Sequence, residues 1–125
     1  MILVDTSVWL DHLRATDPHL VEALEFDEVV QHPMVIGELS LGDLRKRDSV
    51  LGLLNNLSTV RVALHHEVMT LVDGHRLFGQ GLSLVDVHLL ASVLLTPGTR
   101  LWTRDKRLAR AADHLEILEP DPSLP

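Results

Sequence analysis

Residues 2–4 read Ile-Leu-Val with no polar residue between them, and the run ends on Asp5. A strand that faces water on one side alternates apolar and polar residues, whereas one that is apolar throughout has both faces covered. This run therefore asks for a sheet with helices on both sides. Further short strand candidates are Val29-Val30, Thr59-Val60-Arg61-Val62, Leu101-Trp102-Thr103 and Ile117-Leu118. Helical spacing fills the intervals: 6–14, 18–26, 33 to about 45, 49–55, 65–78, a strongly apolar helix from Ser83 to before Pro97, and 105–112. Pro18 and Pro33 fit first helical turns, where a missing N–H goes unnoticed. Short strands alternating with helices indicate an α/β fold with a parallel sheet.

The expected organisation is one domain over 1–118 with a frayed tail over 119–125, Glu-Pro-Asp-Pro-Ser-Leu-Pro. There is no internal repeat, low-complexity segment or linker. A chain of 125 residues can bury about 65–70% of its unfolded surface, and an apolar fraction of 46% supplies the core. Cysteine is absent, which excludes disulfides, thiolate metal sites and a cysteine nucleophile. No apolar run approaches a membrane span, and no basic segment precedes the short apolar run at 2–4, so neither a membrane partner nor a signal peptide is expected. The expected location is the cytoplasm.

In an open parallel sheet, ligand sites form beyond the carboxyl ends of the strands. Asp5 follows the first strand, and Asp105 stands just past Leu101-Trp102-Thr103. Each alone is equally explained as a helix N-cap or first-turn acid. Glu38, in HPMVIGELSLGDL, falls four residues after Met34 and three before Leu41, a spacing that puts it on the apolar stripe, where a carboxylate needs a partner. Asp86, in GLSLVDVHLLASVLL, completes a capping box with Ser83, and Leu89 and Leu90 three and four residues on turn it toward the apolar side as well. If the four converge, no cation in their own motifs offsets their repulsion. A divalent ion bound by hard oxygens is the natural compensator. Such an ion aligns a phosphodiester and lowers the pKa of an attacking water.

The net charge of −7 speaks against a nucleic-acid partner until its distribution is considered. Basic residues gather at Arg45-Lys46-Arg47 and at Arg100, Arg104, Lys106, Arg107 and Arg110. The second group surrounds Asp105, so Arg104, Lys106 and Arg107 are candidate phosphate ligands at the rim of an acidic hole; a solvated helix face is the plainer alternative. With only Phe26, Phe78, Trp9 and Trp102, a base-stacking platform is not expected. The eight histidines form no H-x-x-x-H pair, and most are expected at the surface; His32 falls near the start of the Glu38 helix. Ser7 lacks a nucleophile-elbow context, Gly79-Gln80-Gly81 reads as a turn, and Trp9, Leu10 and Leu13 read as core or dimer contact.

The stretches ILVDTSVWLDHL, HPMVIGELSLG, GLSLVDVHLLASVLL and LWTRDKRLARAA, in this order and spacing, resemble the PIN-domain ribonucleases, most closely the VapC-type toxins of bacterial toxin–antitoxin pairs. The resemblance spans nearly the whole chain. It implies a parallel five-stranded sheet sandwiched by helices. Asp5, Glu38, Asp86 and Asp105 match the family's acidic quartet, the catalytic and metal-binding set for Mg²⁺ or Mn²⁺, while Ser7 and Thr103 match supporting polar positions. The implied reaction is endonucleolytic hydrolysis of single-stranded RNA by a metal-activated water. The implied partners are RNA, a cognate antitoxin and a second copy in a homodimer. Two rivals stand beside this reading. An aspartyl phosphatase fits Asp5, but Ser7 occupies the place of the second Asp it wants. A non-catalytic PIN-fold binding module would have little reason to keep four costly carboxylates.

Overall fold

The computed structural model describes residues 1–124. Its elements run β1 (Ile2–Val4), α1 (Thr6–Arg14), α2 (Pro18–Glu25), β2 (Val29–Gln31), α3 (Pro33–Ser40), α4 (Arg47–Asn55), β3 (Ser58–Thr59), α5 (His65–Gly74), α6 (Leu84–Leu94), β4 (Arg100–Trp102) and α7 (Lys106–His114). All strands are parallel, in the order β3-β2-β1-β4. Leu3 pairs with Val30 on one side and with Leu101 on the other. Leu3, Val4 and Leu101 are fully buried, as an all-apolar strand requires. The chain leaves β1 toward β2 and β3, then returns to the opposite side of β1 as β4. The strand order therefore reverses between β1 and β4, and the crevice at such a reversal is where open α/β sheets receive ligands.

Helix α6 supplies much of the core. Val87 through Val93 are all buried, including His88 and Ser92. A helix apolar nearly all round belongs in the interior, and burying each of Leu89 and Leu90 contributes about 2 kcal/mol. Pro18 and Pro33 each occupy a first turn as expected. Asp17 caps α2 through the N–H groups of His19 and Leu20.

The sheet has four strands rather than five among the described residues. Ile117-Leu118 contributes only an isolated bridge between Leu118 and Leu101. Glu119 N–H still reaches the Leu101 carbonyl, but Pro120 and Pro122 follow and cannot continue a ladder. Strand β3 ends at Thr59, short of the predicted Val62, because α6 captures the backbone beyond it. Thr96 Oγ1 accepts from Arg61 N–H and Ser92 Oγ from Ala63 N–H. Helix α3 stops at Ser40, where Gly42 N–H turns back to Leu39, and α5 stops at Gly74, before the left-handed Arg76. Within the segment after Leu118, Asp121 is bound by Arg104, and its side chain is only 3% exposed. Pro125, the last residue of the predicted tail, lies outside the described residues.

Candidate active site

Asp5 occupies the N-cap position of α1, yet its side chain caps nothing. The buried carboxylate instead accepts from Ser7 Oγ at 2.8 Å and Thr103 Oγ1 at 2.7 Å, both on Oδ2. Asp5 N–H pairs with the Trp102 carbonyl, which seats β1 against β4 at their carboxyl ends. The same two hydroxyls organise the opposite strand end. Ser7 Oγ accepts from Arg104 N–H and Thr103 Oγ1 from Asp105 N–H. Ser7 and Thr103 thus tie Asp5 to the turn that carries Asp105.

Asp105 is the N-cap of α7, and its Oδ1 takes the N–H groups of Arg107 and Leu108. Asp86 closes a reciprocal capping box on α6: Ser83 N–H donates to its Oδ2, and Asp86 N–H donates to Ser83 Oγ. Burial raises the Asp86 carboxyl above its usual range, and the charges of Asp105 and Asp5 push it the same way while the Ser83 bonds oppose them. Those two charges mark Asp86 as a neighbour of both strand-end acids.

Glu38 departs from the sequence expectation. It is exposed, because Val35 and Leu39 form the buried stripe of α3 and Glu38 falls one step outside it. It reaches the site through Thr6, whose hydroxyl donates to Glu38 Oε1 at 2.8 Å. Thr6 was legible only as a helix start; its place between Asp5 and Ser7 was the available signal. Each of the four acids therefore has one oxygen held by the protein, with Asp5 Oδ1, Glu38 Oε2, Asp86 Oδ1 and Asp105 Oδ2 uncommitted.

No ion pair reaches this set among the described residues; all three belong to Arg104. Arg104, a candidate phosphate ligand from its sequence position, is engaged by carboxylates of the fold. Its guanidinium binds Asp11 at 3.0 Å, Asp17 at 2.5 Å and Asp121 at 2.7 Å, and lies 5.6 Å from the Trp102 ring centre. Burial works against the Arg104 charge, but the three carboxylates outweigh it and fix the side chain as a cation. Three of its five N–H donors and its charge are thus answered by carboxylates within the fold. Lys106 and Arg107 are exposed and unpaired among the described residues.

Of the eight histidines, His32 and His88 are buried. His32 caps α3: its Nδ1 accepts from Met34 N–H, which leaves Nε2 to donate to Ser92 Oγ at 3.0 Å. The helix bearing Glu38 is thereby fastened to α6, which bears Asp86. Trp9 lies in the core, whereas Leu10 and Leu13 are each more than a third exposed.

A four-stranded parallel sheet flanked by helices, with carboxylates gathered where the strand order reverses, defines an α/β protein with an acidic site. The chain belongs to the PIN domain family, whose model matches residues 2–114. It is 59% identical over 111 residues to Ribonuclease VapC32 of Mycobacterium tuberculosis strain CDC 1551 / Oshkosh, covering 89% of this chain and 90% of that protein. The same figures hold for Ribonuclease VapC32 of strain ATCC 25618 / H37Rv.

Proposed function

We propose that this protein is a divalent-metal-dependent endoribonuclease that cleaves single-stranded RNA and acts as the toxin of a toxin–antitoxin pair. The observation that carries the reading is the division of labour within the four carboxylates: one oxygen of each is fixed by the protein and the other is open. The ribonuclease name of relatives 59% identical over most of the chain supports the same chemistry.

The donor set fits a hard cation. Among the described residues no three His, Asp or Glu side chains stand close enough together to hold an ion unaided. Mg²⁺ or Mn²⁺ would take only one or two carboxylates directly and complete the shell with water. Asp5, Glu38 and Asp86 would hold such an ion, in part through water, with Asp105 assisting. When bound, the ion neutralises phosphate charge and lowers the pKa of a water. The remaining work falls to the chain. Ser7 and Thr103 lock the Asp5 rotamer, Ser83 orients Asp86, Thr6 draws Glu38 inward, and the α7 amides orient Asp105. Such supporting bonds hold ligand geometry and weigh heavily in metal affinity.

No helix among the described residues is long and apolar enough to cross a membrane. The partners proposed are RNA, a cognate antitoxin and a second copy in a homodimer, and the location proposed is the cytoplasm. The deciding experiment maps new 5′-phosphate ends in total cellular RNA treated with antitoxin-free protein and Mn²⁺, alongside Asp86→Asn. Discrete ends made by the wild type alone are expected. Absence of ends with the wild type, with metal binding verified, would leave a PIN fold that only binds partners.

A further inference from the structure

A cavity of about 500 Å³ is lined by Gly79, Gln80, Gly81, Arg107 and Arg110. Both of its walls run directly into the acidic site. Gly81 stands two residues before Ser83, which holds Asp86, and the Arg107 N–H is bound by Asp105 Oδ1 at 3.0 Å. Arg107 and Arg110 lie three apart on α7, on one side of the helix. Both are exposed, neither forms an ion pair among the described residues, and no acidic side chain lines the cavity. This is the reverse of Arg104, whose charge is fully answered.

The loop is shaped around Arg107. A Cβ on Gly81 would stand 2.8 Å from Arg107 Cδ and 3.0 Å from its Nε and Nη1. Gly81 has φ +76°, in the left-handed region where a Cβ is strained in any case. The guanidinium therefore rests against bare backbone, and any larger residue at 81 displaces it. Gln80 Nε2 ties the loop back to the Arg76 carbonyl at 2.9 Å. An arginine seated by backbone, beside a second arginine and without a carboxylate partner, presents its planar fork to an anion. Phosphate is the anion such forks match.

We propose that this cavity is a backbone-phosphate subsite, in which Arg107 and Arg110 hold a phosphate of single-stranded RNA flanking the one that is cleaved. Gly81 is the positioning residue that seats Arg107. The inference rests on the ribonuclease reading and gives a net-acidic protein its local grip on a polyanion.

The test is equilibrium binding of a short fluorescent single-stranded RNA in EDTA, where cleavage is silent, across a range of salt. Arg107→Gln/Arg110→Gln is compared with wild type and with Arg61→Gln, an exposed charge outside the cavity. Two lost phosphate contacts make the log–log salt slope shallower by about 1.4 and weaken binding by about tenfold. Gly81→Ala reproduces the Arg107→Gln loss, and combining the two adds nothing further, a non-additivity that general loop damage does not produce. Wild-type affinity and slope in the double Arg variant overturn the proposal, as does equal loss in Arg61→Gln or no RNA binding by the wild type. Cleavage in Mn²⁺ is scored separately on wild type and Asp86→Asn, so failure of the ribonuclease reading shows there and failure of the subsite shows in binding.

Discussion

Two groups of carboxylates lie near the end of β4, and they treat their oxygens differently. Asp17 and Asp121 commit both. One oxygen of each binds Arg104, while the other accepts from His19 and Leu20, or from Ser123. Asp5, Glu38, Asp86 and Asp105 commit one each and face no cation. The first group is complete as folded and serves the fold; the second is left open, as the proposed metal site requires. Clustering of acids alone does not separate the two cases, nor does the tally of oxygens, since Asp11 on Arg104 also leaves one free; the answering cation does.

Crossed substitutions break this comparison most sharply. Asp5→Asn should lower cleavage by on the order of 10²–10³-fold, since several kcal/mol of charge stabilisation go with it, while the urea midpoint stays near wild type. Arg104→Gln should do the opposite. It leaves three acids without their cation and costs about 3 kcal/mol of stability, with cleavage per folded molecule retained. Equal losses of activity in both would show that the two groups are one site.

Titration sharpens it further. His32 is fully buried, and burial, assisted by the nearby His88, lowers its pKa from 6.5 to about 4. Between those values the unfolded chain binds the extra proton, so stability falls as pH falls from about 6.5 to about 4, by about 3 kcal/mol in full. Asp121 follows in a lower window. Burial works to raise its pKa, but Arg104 and the Ser123 bonds outweigh that and hold it at about 2, against an ordinary 3.8. Its contribution is complete above about 4 and disappears as pH falls toward about 2. Urea midpoints against pH should therefore show two steps. His32→Asn, which keeps a capping side chain, should shrink the upper step, to which buried His88 also contributes, and Asp121→Asn the lower, to which Asp17 contributes.

The smallest effect expected is at Ser83. Ser83→Ala removes one half of the capping box, the hydroxyl that accepts from Asp86 N–H, at a cost of about 1 kcal/mol, and leaves the bond from Ser83 N–H to Asp86 Oδ2 in place. Mn²⁺ affinity measured calorimetrically should stay within about 3-fold of wild type, because the Asp86 carboxylate keeps its backbone donor. A large loss of affinity would mean that the Ser83 hydroxyl, and not the backbone N–H alone, sets the Asp86 geometry.

The parts of the molecule that short-range pattern decides were legible beforehand. The all-apolar runs fixed β1, β2 and β4, the prolines placed the starts of α2 and α3, and the S-x-x-D box placed Asp86 at the head of α6. What escaped was decided by distant partners. The end of β3 is set by Ser92 and Thr96, about thirty residues away. Arg104 read as a free cation because its three aspartates lie 17, 87 and 93 residues from it. Glu38 read as a core-facing acid because Met34 and Leu41 were counted into a stripe that Val35 and Leu39 form. Of the groups that hold these acids, Ser83 was legible through its capping box and Ser7 and Thr103 through the family resemblance, whereas Thr6 was not.

The bonds that join Asp5 to the β4 turn span 96 to 98 residues of sequence. During synthesis at about 5–20 residues per second, Asp5 waits on the order of ten seconds before Thr103 has been made. Throughout that interval the emerging chain has its first acid but neither β4 nor the turn carrying Asp105. A protein that cuts RNA is thus unarmed for most of the time it spends attached to the RNA machine that makes it.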